Sequence, residues 1–79
     1  MTDHPEHSAA HRPHVVVHPV VEAPRPFRRV DILGMYVGSA YGVVDVIEFT
    51  RRAGLDDITL DDPESVRWQG GGPEVWSVE

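Results

Sequence analysis

The sequence predicts a small α+β domain of order β-β-α-β-β, with one helix packed on a short antiparallel sheet behind a disordered N-terminal tail. Three observations carry this. Apolar residues recur with a period near 3.6 between Gly42 and Leu55, segments on either side of that stretch alternate with a period of two, and prolines stand at 5, 13, 19, 24 and 26. Residues 1–26 are therefore expected as a His/Pro-rich tail, and residues 27–79 as the domain.

In the tail, proline every few residues removes backbone donors and interrupts any helix. His14 to Val21, HVVVHPVV, is the exception. Its β-branched residues suit a short extended edge, although Pro19 weakens that assignment. Phe27 to Tyr41 reads as two strands joined at Gly34-Met35, with glycine first in a type II′ turn. That register sets Ile32 opposite Val37 and Leu33 opposite Tyr36. Val30, Ile32 and Val37 then face the helix, while Arg29 and Asp31 turn outward. The small residues Gly38, Ser39 and Ala40 give the helix clearance.

The helix is the firmest element because its ends agree with its middle. Val43, Val46, Ile47, Phe49, Thr50 and Ala53 share one side, with Asp45, Glu48, Arg51 and Arg52 opposite. Gly42 serves as N-cap, Asp45 and the two arginines complement the dipole, and Gly54 closes the helix with Leu55 folding back on Phe49 or Thr50. Several of its residues are β-branched, so it needs a sheet to lie on. Leu55 to Glu64 is an acidic loop with Ile58 and Leu60 as anchors. Ser65 to Glu79 alternates as two short strands about Gly70 to Pro73.

Composition excludes several function classes. The chain has 79 residues, no cysteine and a formal charge of −6, which removes disulfides and thiolate chemistry and opposes general phosphate binding. No apolar run spans a bilayer and no signal-peptide layout is present, so a cytoplasmic protein with no membrane partner is expected. Every Lys/Arg position is arginine and asparagine is missing, a usage that fits a GC-rich bacterium.

Motifs for catalysis are missing too. Gly70-Gly71-Gly72-Pro73 lacks the lysine and hydroxyl of a phosphate loop. The carboxylates at 56, 57, 61, 62 and 64 do not follow a calcium-loop spacing. All five histidines fall in the expected tail, which leaves a serine nucleophile without a base. The expectation is a non-enzymatic interaction or accessory module without cofactor, its partner another protein or a second copy of itself. Its candidate partner-binding residues are Trp68, Gly70, Gly71, Gly72, Trp76, Arg51 and Arg52. The tryptophans form an aromatic platform in that reading, but filling the core is the first use expected of them.

Two alternatives remain. His4, His7, His11, His14 and His18 recur at gaps of three and four, which on a helix would make one imidazole stripe for zinc, nickel or copper, but Pro13 forbids a continuous helix there. A solvated tail is the simpler account. The other is a small transcriptional regulator contacting DNA through Arg28, Arg29, Arg51 and Arg52, against which the acidic C-terminal third acts electrostatically.

Overall fold

The computed structural model describes residues 13–55 and 58–78. Among the described residues it is an α+β fold in which one helix accompanies a four-stranded mixed sheet. The elements run β1 (Val15–Val21), β2 (Phe27–Ile32), β3 (Met35–Ala40), α1 (Val43–Arg52) and β4 (Val66–Trp68), and the strand order across the sheet is β3-β2-β1-β4. Element order is thus β-β-β-α-β. The extra strand lies before the helix and not after it.

β1 occupies a segment that the sequence assigned to the tail, and it is interior, pairing antiparallel with β2 and parallel with β4. Its proline is accommodated by position. The register with β2 shifts between Val17 and Val20, so His18 and Pro19 together stand opposite Arg29, while the pairing with β4 ends at Val17. Pro19 therefore falls in a bulge, where no ladder bond requires its missing N–H. Val15 and Val17 supply two fully buried side chains, which accounts for the recruitment of this segment. Because β4 returns parallel to β1 after the helix, the sheet is mixed and not antiparallel throughout.

The β2–β3 hairpin turns at Leu33-Gly34, one residue earlier than expected. Both residues have positive φ, 54° and 82°, as a type I′ turn demands. Ile32 faces Met35 and Asp31 faces Tyr36. A bulge then makes Val37 the extra residue before Val30 meets Gly38, so Val37 is exposed at the edge instead of facing the helix. Val30 and Ile32 do point into the core.

The ends of α1 follow the sequence closely. Gly42 is the N-cap, and the Asp45 carboxylate accepts the Tyr41 backbone N–H at 2.8 Å. At the other end Gly54 N–H donates to Arg51 C=O and Leu55 N–H to Thr50 C=O, the paired bonds of a Schellman cap. Val46 and Thr50 are buried, whereas Ile47 and Ala53 lie outside the packed stripe. The core is Val15, Val17, Val30, Ile32, Ala40, Val46 and Val66, with Phe49, Leu55, Ile58, Leu60, Trp68 and Trp76 packed around it. The second C-terminal strand does not form: after β4 the chain runs through an irregular segment that folds back on the sheet. No helix among the described residues is long and apolar enough to cross a membrane.

Candidate functional site

Among the described residues the largest fully buried side chain is not apolar. It is Arg28, placed on the core face of β2 by the same alternation that buries Val30 and Ile32. All five of its N–H donors are satisfied by backbone carbonyls at 2.8 Å. Nε donates to His18, Nη1 to Gly72 and Val75, and Nη2 to Gln69 and Gly71. The bulge in β1 frees the His18 carbonyl for this purpose, and the C-terminal segment supplies the other four. Trp68 and Trp76 flank the guanidinium at 5.3 and 5.4 Å and meet each other edge to face at 6.3 Å, within reach of cation–π attraction. Burial lowers the Arg28 pKa below its ordinary value, and the charge of Glu74 partly opposes that shift.

This cage locates most of the predicted partner-binding residues. Gly71 and Gly72 present their carbonyls inward to Arg28. Gly70 has φ +78°, and a Cβ there would lie 2.8 Å from Pro19 Cβ, so glycine lets the segment close on the β1 bulge. The indole N–H of Trp68 donates to Leu60 C=O at 2.9 Å, and that of Trp76 to Pro73 C=O at 2.6 Å. Both tryptophans are half-buried around the arginine. Arg51 and Arg52 lie apart from this cluster, exposed at the end of α1, with Glu48 at 2.9 and 4.0 Å.

The helix-free face of the sheet carries a second group. His18 Nε2 lies 2.9 Å from Asp31 Oδ2, Arg29 sits 5.1 Å above the Tyr36 ring, and Tyr36 Oη lies 3.2 Å from Ser39 Oγ. An open groove of about 680 Å³ runs past His18, Asp31, Arg29 and Tyr36. The histidines are thus not all outside the fold. His18 belongs to β1 and His14 immediately precedes it, so along extended chain their Cα atoms stand ~13 Å apart, and the helical spacing that would bring them to one ion is not formed. His4, His7 and His11 lie outside the described residues. Among the described residues, no three potential ligands cluster to hold a metal.

The third feature is apolar. Of nine exposed large hydrophobic residues among the described residues, seven fall between Leu33 and Ile47, namely Leu33, Met35, Tyr36, Val37, Tyr41, Val44 and Ile47. They belong to the hairpin turn, to edge strand β3 and to the helix that packs against it. The helical wheel puts Val44 and Ile47 on the flank of α1 away from Phe49. Strand parity and the helical wheel alone turn Val37 and Ile47 inward, which hides this region in the sequence. The unbroken absence of charge from Ile32 to Val44 was the available signal. Compared with family models, curated proteins and solved structures, the chain gives no match, so these surfaces are interpreted from their own geometry.

Proposed function

We propose that the protein is a non-enzymatic interaction module of the cytoplasm, docking through edge strand β3 and the adjoining flank of α1. The observation that carries the reading is the concentration of exposed apolar side chains between Leu33 and Ile47, on the hairpin turn, β3 and α1, since such patches mark association surfaces more often than scattered single residues do. An edge strand adds unsatisfied backbone donors and acceptors to the same place. The Trp–Gly segment has a different use: its carbonyls and ring faces are directed at Arg28, which makes it part of the scaffold behind the docking edge.

A catalytic reading has less support, because His18 and Asp31 lie at the surface with side chains 36% and 29% exposed and the Ser39 hydroxyl is within reach of Tyr36. A DNA-binding reading loses Arg28, whose donors are all engaged internally. It also has Arg29 on the helix-free face and Arg51 and Arg52 on the helix, on opposite sides of the sheet.

The test places a photo-crosslinking residue at Val44 or at Arg67 and irradiates the native host. Adducts from position 44 that disappear with Met35→Lys are expected, with none from position 67. Equal yields at both positions, or none at 44, would remove the proposal.

A further inference from the structure

We infer that the occupant of this edge is a second copy of the chain, joined by antiparallel pairing of β3 with β3 of its partner. The inference rests on the docking reading above and goes further by naming the partner. Four observations converge on it.

The two edges of the sheet differ. β4 has three residues and carries exposed Arg67, features that discourage pairing. β3 has six residues with neither proline nor charge, and so lacks two of the usual guards of a free edge. Its one interruption is the bulge at Val37, which divides the pairing stretch without blocking it.

Electrostatics favours a self-contact at this place. Two chains of charge −6 repel over most of their surfaces, but Ile32 to Val44 contains no Asp, Glu, Lys, Arg or His. A copy meeting a copy there sets no like charges of this stretch opposite each other, although Arg25 stands over Tyr41 and Arg29 over Tyr36. A strongly basic partner would instead be drawn to the acidic region from Asp61 to Glu64.

Geometry supplies the third argument. Antiparallel pairing of identical edge strands requires a two-fold axis perpendicular to the sheet, which keeps both helices on the same face. α1 packs against β3, so the exposed Val44 and Ile47 are carried next to the junction on both protomers. The strand edge and the helix flank are then buried together, which explains why the apolar residues of both elements occur side by side.

The fourth is area. The seven residues are between 40% and 70% exposed. Even at the ~150–250 Å² of an aromatic side chain, an upper bound for the five aliphatic members, they present at most on the order of 700 Å² per protomer, so the paired β3 backbones must supply the rest of the ~800 Å² that each partner contributes to a stable interface.

Sedimentation velocity on the full purified chain, from roughly micromolar to millimolar concentration, tests the inference. The wild type is expected to be a dimer. Met35→Lys and Val44→Lys, each at a position exposed in the folded chain, should raise the dissociation constant at least ~100-fold because each puts an unpaired charge into an apolar junction, while circular dichroism stays unchanged. Arg67→Gln on the other edge should leave the dimer intact. A monomer at every concentration, or a dimer indifferent to both lysine variants, overturns the second-copy inference. If the monomer still yields Val44 adducts with another protein in the host, the docking edge stands with a different occupant. If it yields none, both readings fall.

Discussion

Replacement of Arg28 by methionine is the most informative perturbation of the scaffold. Methionine reproduces much of the stem volume and removes both the charge and its five donors. Singly measured charge-assisted hydrogen bonds contribute ~1.5–3 kcal/mol each. Five such bonds would sum to about 7.5–15 kcal/mol, as much as or more than the whole stability of a fold this size, roughly 4–12 kcal/mol. They therefore cannot add simply, and most of their gain offsets the cost of burying a guanidinium with no carboxylate against it. What decides the outcome is the set of acceptors left behind. The carbonyls of His18, Gln69, Gly71, Gly72 and Val75 all lose their donor, at ~1–3 kcal/mol for each that stays buried. The 69–75 segment forms no helix or strand, so release and rehydration of its carbonyls in the variant would limit the penalty, and the net loss expected is about 3–5 kcal/mol. Arg28→Lys keeps the charge but not the planar fan of donors, and should lose about 2–3 kcal/mol. Urea unfolding followed by far-UV circular dichroism gives the stability. Trp68 and Trp76 emission reports release of the segment by a red shift at low urea, before the main transition. A methionine variant within ~1 kcal/mol of wild type, with unchanged emission, would refute the view that Arg28 fastens the C-terminal segment.

Three further outcomes are expected. Leu33 holds φ 54° in an exposed turn, so Leu33→Asn, which tolerates that region, should stabilise by about 0.5–1 kcal/mol in the same urea assay. A Cβ on Gly38 would fall 2.8 Å from Phe49 Cζ at φ +156°, so Gly38→Ala should cost about 1–3 kcal/mol. Adding Phe49→Leu should recover part of that loss, seen as non-additivity in a double-mutant cycle. Asp31→Asn weakens a surface contact with His18, and its effect on the urea midpoint should correspond to less than ~1 kcal/mol.

The buried arginine was within reach of the sequence. Placing Val30 and Ile32 inward commits Arg28 to the same face by parity alone, and that consequence was masked by reading Arg28 and Arg29 as one basic pair. The docking edge was half visible: the uncharged run from Ile32 to Val44 can be read directly, but the bulge at Val37 and the outward flank at Ile47 depend on how strand and helix meet. His18 was assigned to the tail because Pro19 follows it. A bulge removes the need for that proline's N–H, and whether a bulge forms depends on the partner strand.

By itself the sequence determined α1 with both its ends, the hairpin around Gly34 and the inward set of β2. These are local matters, decided by side-chain period and by backbone bonds between residues a few positions apart. Only the tertiary structure decided that His14 to Val21 would become an interior strand, that β4 would return parallel to it, and that the triple-glycine segment would close over Arg28. A strand is stabilised by neighbours distant in sequence, and the five acceptors of the arginine are peptide carbonyls. Every residue has one, so no residue type marks which five converge.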